Sequence, residues 1–357
     1  MKASEILKPL GVFVVVIAVV LAGTALVGTL AGSGSAGPAD GEEIEGQSPG
    51  QFAPENVLAT SAPEDGEISI DGAGESKRIL VDSGHSNRYS RSDLAPLVEA
   101  LAQAGHEVDF TPDTPGDGGG FGETSYNATL REYDAVMILQ PTASFSDGEI
   151  AGLTAYADGG GRIAVLAEPP QLSVGSGLSA QVTQVRFGAQ DLVGEFGLRM
   201  GTEGLYNIED GGNDNNYESI VASPDGSSPL TEGVSNVTFD SAGYVVQTGD
   251  DPEVRMRAIS GTRTLERRQA GRYPVAAQND NLVLVADTSF LKSSELYDLD
   301  NERFAGNLLE FLVSGDKDEG VPEGSGGTGD GGFGEDDGED DGGENGGGGT
   351  TPITAAP

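Results

Sequence analysis

Polar side chains suited to acid–base chemistry or ligand binding follow the main apolar runs of this chain. They lie directly after predicted strands or at the start of the last predicted helix: Asp82, His85, Asn87, Gln140, Glu168, Asp287, Ser289, Asp300 and Asn301. Ligands of open parallel sheets bind beyond the carboxyl ends of the strands. We therefore interpret these residues as a candidate ligand-binding rim, although each can equally serve as a turn former or cap.

The imidazole of His85 is the group in this set best suited to proton transfer. A general base needs an acid that orients it and a nucleophile that it serves. Asp82 and Ser83 are the nearest candidates along the chain. The predicted domain, residues 77–315, has no Gly-x-Ser-x-Gly motif, which would present a serine on a strained turn. We therefore favour a positioning or hydrogen-bonding His85 over a catalytic one.

Residue types that are absent exclude several kinds of site. The chain has no Cys, no Trp and two His, His85 and His106. This excludes disulfides, thiolate metal ligands, a Cys nucleophile and a His-rich metal centre. The glycine-dense segment Gly116–Gly122 lacks a Lys and opens no predicted helix, so it matches neither a Walker A nor a dinucleotide-binding loop. We expect no cofactor and no bound metal.

The charge balance is strongly acidic. The chain of 357 residues has 58 Asp and Glu against 19 Lys and Arg, and a net charge of -39. An acidic, Lys-poor surface keeps a protein hydrated in high salt, where its self-repulsion is screened within a few ångströms. This composition is typical of haloarchaeal proteins; a surface that binds cations or a basic partner is the alternative. Because no basic stripe is evident, we expect no nucleic acid partner.

An uncharged apolar run near the N-terminus predicts a membrane anchor. Residues Leu10–Ala31 would span about 33 Å as a helix, enough for the hydrocarbon core of a bilayer. Lys2 and Lys8 precede this run, and no Lys or Arg follows it before Lys77. The positive-inside rule then predicts a single-pass cell-membrane protein with residues 1–9 in the cytoplasm and the main domain outside. A cleaved signal peptide is the alternative, although its apolar region would be unusually long.

Composition divides the rest of the chain into three parts. Residues 32–76, rich in Gly, Ser, Pro and acid, are predicted to form a flexible stalk, and residues 316–357 a disordered acidic, glycine-rich tail. Residues 77–315 are long enough for one domain with a real core. The sequons at Asn127 and Asn236 are candidate glycosylation sites if the domain lies outside the cell.

Strands and helices alternate in the first half of this domain. The predicted strands are Arg78–Asp82, Glu107–Phe110, Tyr133–Leu139, Arg162–Leu166 and Asn281–Asp287; the predicted helices are Ser92–Ala104, Ser146–Tyr156 and Asn301–Val313. Such alternation predicts an α/β fold with a parallel sheet covered on both faces. A helix is also predicted near 189–196. Strand-like runs between 217 and 277 fit either extensions of that sheet or an antiparallel insertion.

Several short motifs resemble the class I glutamine amidotransferase-like superfamily. They are Ile79–Asp82 with His85, Gly105–Val108, Val283–Phe290, Asp300-Asn301, Phe304 and Asn307–Leu309. Within it, the chain resembles a membrane-anchored domain-of-unknown-function group often encoded beside MoxR-type ATPases, and more distantly the gliding-motility GldG and intraflagellar-transport domains. The resemblance implies a flavodoxin-like three-layer sandwich with a mostly parallel sheet.

The resemblance does not carry over an activity. True amidotransferases place a Cys in a sharp turn after the third long strand, where Leu139–Ser144 has neither a Cys nor an evident elbow. We therefore expect a non-catalytic, membrane-anchored extracytoplasmic binding or assembly module, whose partner is a membrane or cell-surface protein, a peptide or a glycan. A hydrolase that uses Asp82, His85 and Glu168 is the first alternative. An accessory subunit of a membrane transporter complex is the second.

Overall fold

The computed structural model describes residues 66–70, 74–111, 123–174 and 182–322. The predicted anchor Leu10–Ala31, most of the predicted stalk and most of the predicted tail lie outside these residues. Among the described helices, none combines the length and the apolar character that crossing a bilayer requires. Ile68, on the N-terminal side of the predicted domain, packs into its core, and Pro322, beyond its predicted end, is buried.

The described residues form sixteen strands. They are β1 (Arg78–Asp82), β2 (Glu107–Phe110), β3 (Ala135–Leu139), β4 (Arg162–Leu166), β5 (Gln171–Val174), β6 (Val182–Val185), β7 (Leu198–Met200), β8 (Leu205–Tyr206), β9 (Asn213–Asp214), β10 (Asn216–Pro224), β11 (Val237–Asp240), β12 (Val245–Gln247), β13 (Glu253–Ala258), β14 (Arg263–Thr264), β15 (Pro274–Asn279) and β16 (Leu282–Val285).

Ten of these strands form the central sheet, whose main path runs β11-β10-β13-β15-β16-β4-β3-β1-β2 with β9 beside β10. The five strands from β16 to β2 are parallel, and their register pairs Leu80 with Val136 and Val165 with Leu284. The inner strands of this part are apolar and buried on both faces, as expected of a covered parallel sheet.

The strand-like runs of the second half mostly extend this sheet in antiparallel fashion. β15 pairs with β16, β13 with β15, β10 with β13 and β11 with β10, all antiparallel. β12 instead pairs with β7 in a separate two-stranded sheet. The sheet is therefore parallel from β16 to the edge strand β2 and antiparallel from β16 to β11. This mixed α/β sheet agrees with the coarser features of the flavodoxin-like prediction.

Helices cover both faces of the sheet. They are α1 (Ala95–Gln103), α2 (Glu123–Leu130), α3 (Asp147–Asp158), α4 (Gln190–Glu195) and α5 (Asn301–Val313). Leu97 of α1 and Phe304 of α5 pack in the core on one face, while Leu153 of α3 and Leu192 of α4 pack in the core on the other. The result is a three-layer α/β arrangement.

The N-terminus of α3 shows how the sequence encodes these elements. Ser146 accepts a hydrogen bond from the backbone N–H of Glu149, and the Glu149 side chain accepts one from the N–H of Ser146. This capping box satisfies two donors that a helix end otherwise leaves free. The predicted start of this helix and the predicted bounds of α5 are confirmed, whereas α2 was not predicted.

Candidate functional site

The parallel strands bring most of the predicted rim to one edge of the sheet. β1 ends at Asp82, β3 just before Gln140, and β4 and β16 two residues before Glu168 and Asp287. Side chains alternate between the two faces beyond these ends. Asp82 follows Leu80 on the α3 face, whereas Glu168 and Asp287 follow residues on the α5 face. The rim is therefore divided into two clusters.

The first cluster is a buried trio of His85, Asp82 and Glu149. His85 Nδ1 lies 2.9 Å from Asp82 Oδ2, and His85 Nε2 lies 3.6 Å from Glu149 Oε2. All three side chains are buried. The ring of Phe145 stacks on His85 at 3.5 Å between centroids, and Tyr126 meets it edge-on. Sequence reasoning assigned Glu149 to helix capping alone and missed its contact with His85.

The charges of this trio determine what His85 can do. Burial by itself lowers the pKa of His85, but the hydrogen bond to Asp82 and the charges of Asp82 and Glu149 outweigh it and raise that pKa to about 9. Burial opposes ionisation of Glu149, yet His85 and Ser146 lower its pKa. His85 is thus a cation between two carboxylates at neutral pH, which leaves it no free lone pair for general-base work.

The loop after β1 is held by its own polar groups. Ser83 Oγ hydrogen bonds to Tyr89 Oη at 2.7 Å, and among the described residues no hydrogen bond joins it to the His85 ring. Asn87 Oδ1 accepts from the His85 N–H at 2.9 Å, and Asn87 Nδ2 donates to the Leu139 carbonyl at 2.9 Å. Asn87 therefore ties this loop to the end of β3.

Gln140 occupies a sharp turn after β3 that the sequence did not reveal. Its φ is 40°, in the left-handed region that non-glycine residues rarely adopt. The turn is fixed because Gln140 N–H donates to the Leu166 carbonyl at 2.7 Å and its carbonyl accepts from Arg88 N–H at 3.1 Å. The sequence predicted no elbow in this segment. The structure has a strained turn with an amide side chain at Gln140, and α3 begins only at Asp147.

The second cluster pairs the carboxyl groups of Glu168 and Asp287. Glu168 Oε1 accepts hydrogen bonds from the backbone N–H of Thr288, at 3.0 Å, and from its hydroxyl. Asp287 Oδ1 accepts from Ser289 N–H at 2.7 Å and Ser289 Oγ at 2.6 Å, while its buried Oδ2 has no partner among the described residues. Ser289 Oγ also accepts from the backbone N–H of Asp240.

Burial and mutual repulsion keep this pair partly protonated. Burial raises the pKa of Glu168 to about 7, against the opposing hydrogen bonds from Thr288 and the charge of Lys292. Burial and the charge of Glu168 raise the pKa of Asp287 well above its usual range. Two carboxyl groups that share a buried site do not both ionise readily. The pair therefore carries at least one proton near neutral pH.

A cleft of about 520 Å³ opens above Glu168 at this edge of the sheet. Its lining mixes both charges with hydroxyl, amide and apolar groups: Arg88, Tyr89, Ser90, Asp93, Leu94, Leu139, Gln140, Glu168, Gln171, Asp240, Ser241, Thr288, Leu291 and Lys292. Gln140 and Glu168 are the predicted rim residues that line it. Arg88 and Lys292 also line the cleft; they were not assigned to the rim, although Arg88 directly follows Asn87 and Lys292 lies three residues after Ser289.

Two further predicted rim residues, Asp300 and Asn301, hold β11 against the start of α5. Asp300 Oδ2 accepts from the N–H groups of Ser235 and Asn236, at 2.7 and 3.0 Å. Asn301 Oδ1 accepts from Thr238 N–H, and Asn301 Nδ2 donates to the Thr238 carbonyl. These contacts place Asp300 and Asn301 away from the cleft lining, at the junction between α5 and β11.

The two sequons differ in accessibility. The side chain of Asn127 is buried, and its Nδ2 donates to the Gly148 carbonyl at 3.1 Å. In the folded domain that nitrogen faces α3 and is closed to an incoming glycan. The side chain of Asn236 is exposed, so its glycosylation stays a prediction.

Comparisons with known proteins find solved structures that are distantly similar to this chain. No family model matches the chain, and no curated protein matches it. Among solved structures, the N-terminal domain of mmIFT52 is 12% identical and has a TM-score of 0.49, over 68% of this chain and 99% of that chain.

Two further similar structures are described as a ThuA-like protein and a glutamine amidotransferase. A ThuA-like protein from Bacteroides uniformis is 13% identical, with a TM-score of 0.43, over 70% of this chain and 96% of that one. A glutamine amidotransferase from Thermotoga maritima is 10% identical, with a TM-score of 0.39, over 68% and 98%. All three TM-scores lie below 0.5, so these similarities assign neither a family nor an activity to the chain.

Proposed function

We propose that this domain is a non-catalytic binding module that holds a polar ligand in the cleft above Glu168. The observation that carries this proposal is the identity of the residue on the strained turn after β3. In the superfamily that the sequence resembles, this turn would present a Cys nucleophile; here it presents Gln140, which lines the cleft. An amide can donate and accept hydrogen bonds but is no nucleophile for acyl transfer.

The lining of the cleft suits a ligand that carries both positively and negatively charged groups. Arg88 and Lys292 supply cations, and Asp93, Asp240 and Glu168 supply carboxyl groups. Polar groups that converge above an apolar floor fix the orientation of a bound molecule. A peptide, a glycan or a segment of a partner protein offers hydrogen-bonding groups of this kind.

The geometry argues against the hydrolase built on Asp82, His85 and Glu168. His85 contacts Asp82 and Glu149, and Glu168 lies in the other cluster, bonded to Thr288. General acid–base work requires the groups to be within about 3 Å of the proton that they transfer. His85 is also protonated at neutral pH, so it would act as a structural cation.

Membrane presentation is the second part of the proposal, and it rests on sequence. The uncharged run Leu10–Ala31, with Lys2 and Lys8 before it, supports an anchor that holds the domain outside the cell. A partner that is itself a membrane or cell-surface protein would then be within reach. Fractionation of cells that express the full chain, with external protease added to intact cells, tests the anchor and its orientation together.

One observation favours a second candidate, a hydrolase with Glu168 as its acid. A buried carboxyl group with a pKa of about 7, lining a cleft, matches the need of a general acid at neutral pH. In this candidate the proton of Glu168 would pass to a leaving group. Replacement of Glu168 by Gln would then abolish turnover and leave binding largely intact.

A panel of chromogenic amides, esters and glycosides, incubated with the full chain, distinguishes the two candidates. A binding module shows no turnover above the buffer rate, and Glu168→Gln and His85→Ala leave that result unchanged. Turnover that disappears in Glu168→Gln but persists in Arg199→Gln, an exposed control in β7, would establish the hydrolase instead.

A further inference from the structure

One loop of this acidic protein is densely basic. Residues Arg263–Arg272 contain four of the 19 Lys and Arg of the chain, and no other ten-residue window holds as many. The side chains of Arg263, Arg267, Arg268 and Arg272 are all exposed. This local excess of positive charge is not apparent in the overall net charge of -39.

A buried carboxylate holds the loop in shape. Glu203, which is 3% exposed, accepts hydrogen bonds through Oε2 from the backbone N–H groups of Glu266 and Arg267, at 3.2 and 3.0 Å. Its Oε1 lies 3.1 Å from Arg267 Nη1. The N–H of Arg268 donates to the Thr264 carbonyl at 2.9 Å and closes the turn. The loop is therefore ordered before any partner arrives, which reduces the entropy lost on binding.

Three of the four guanidinium groups are available to pair with a carboxylate of a partner. Arg267 pairs with Glu203, but Arg263, Arg268 and Arg272 form no ion pair with any residue in the described ranges. Cations on a protein of strong negative charge attract the carboxylates of their surroundings. Glu209 and Glu266 lie in the same region, but within the described residues neither forms an ion pair with these three arginines, so the loop keeps positive charge that no carboxylate pairs.

Apolar side chains lie beside these cations. β8 and β14 form a two-stranded sheet in which Arg263 pairs with Tyr206. Leu205 and Thr264 face inward, so alternation directs Tyr206, Arg263 and Leu265 outward. Leu265 is 45% exposed, and Ile208, just beyond β8, is 70% exposed. We call the outward face of β8 and β14 together with residues 263–272 the Arg loop surface.

We propose that the Arg loop surface binds an acidic peptide segment of another polypeptide, with carboxylates on Arg263, Arg268 and Arg272 and an apolar side chain against Leu265 and Ile208. A bilayer or a nucleic acid is a broad anionic surface and would repel the acidic remainder of the protein, whereas a single extended segment touches the loop alone.

The last residue that the structure describes before the acidic tail lies at the opposite edge of the sheet from the loop. Before that tail, the described chain ends at Pro322, whose carbonyl accepts from Arg131 Nε just after α2, at the amino edge of the sheet. The loop lies near the opposite edge, since Leu265 N–H donates to the Gly204 carbonyl, and Gly204 approaches Pro169 just after β4.

The experiment measures binding of a fluorescent Glu-rich peptide that contains one Phe and one Leu to the full chain by anisotropy. The control peptide has every Glu replaced by Gln. We expect the acidic peptide alone to bind, with affinity that falls between about 0.15 and 1 M salt. Replacing Arg263, Arg268 and Arg272 by Gln together should weaken binding about 30-fold, since an exposed ion pair contributes on the order of two- to fivefold. Arg199→Gln should leave it unchanged.

With the acidic tail unchanged, four results would overturn the proposal. They are no binding to the full chain, equal binding of both peptides, equal binding by the triple variant with its fold intact by circular dichroism, and preferential binding to anionic lipid vesicles. Binding that requires replacement of the acids of residues 335–344 by Asn and Gln would assign the surface to the chain's own tail and would overturn the proposal as well.

Discussion

The imidazole of His85 and the carboxylate of Asp82 form a buried ion pair, with Nδ1 2.9 Å from Oδ2. Glu149 approaches the other side of the ring and makes His85 the cation shared by two carboxylates. The histidine that sequence reasoning singles out for chemistry thus joins the loop after β1 to the start of α3. Its surroundings fit a structural role at the edge of the sheet, beside a cleft that binds through other residues.

Removal of His85 should strongly destabilise the domain. His85→Ala leaves Asp82 and Glu149 as buried carboxylates without their cation, which costs about 3 to 5 kcal/mol in the free energy of unfolding. Denaturant unfolding of the full chain measures this. His106→Ala is the matched control, because His106 accepts one backbone hydrogen bond, from Lys77, and its loss should cost about 1 kcal/mol. Equal effects of the two changes would contradict the ion-pair account.

The same trio predicts how stability depends on alkaline pH. The pKa of His85 is raised to about 9 in the folded state, above its ordinary value of 6.5. Its contribution is therefore fully present below pH 6.5 and is lost as the pH rises toward 9, a change of about 3 kcal/mol. Unfolding free energies measured from pH 6 to 10 should fall in the wild type and stay flatter in His85→Gln. Parallel curves would show that His85 is not a buried cation.

The raised pKa of Glu168 predicts that the stability of the domain also changes at lower pH. A carboxyl group whose pKa is raised from 4.5 to about 7 binds its proton more tightly in the folded state, so stability falls as the pH rises from 4.5 to 7. Glu168→Gln keeps an oxygen for Thr288 and cannot ionise. It should raise the unfolding free energy at pH 8 by about 1 to 3 kcal/mol. A loss of stability at pH 8 would mean that Glu168 is ionised and stabilising in the native state.

The strained turn that carries Gln140 predicts a sensitive glycine nearby. Gly188 N–H donates to the Pro141 carbonyl at 2.8 Å, and a Cβ on Gly188 would lie 2.1 Å from the Ala143 carbonyl oxygen. Gly188→Ala should cost about 1 to 3 kcal/mol, because backbone must move. Gly194→Ala in α4 meets open space and should stabilise the helix by about 0.5 to 1 kcal/mol. Thermal unfolding of both variants measures these changes in stability. A Gly188→Ala variant as stable as the wild type would mean that the turn is loosely held.

The local sequence pattern predicted the parallel strands of the sheet and the helices whose caps or apolar spacing are clear in the sequence. The apolar runs at β3 and β16 and the Ser146 cap were readable because each depends on neighbouring residues. α2 was missed because few of its residues are apolar, with Tyr126 and Leu130 as its buried contacts.

The candidate site was predicted less completely, because its geometry depends on contacts between distant segments. Glu149 reaches His85 across more than 60 residues of chain, and Arg88 and Lys292 meet only when their loops fold over the same edge. Asp300 and Asn301 were assigned to the rim, but they bind β11, whose antiparallel position the local sequence does not encode.

The most direct test of a binding cleft compares the wild-type chain with Arg88→Gln and Arg199→Gln on one array of immobilised peptides and glycans. Arg88 lines the cleft, whereas Arg199 is exposed on β7. The account predicts at least one class of spots that the wild type and Arg199→Gln bind and that Arg88→Gln binds at least about fivefold more weakly. An identical pattern for all three proteins, or an array on which none of them binds, would contradict it.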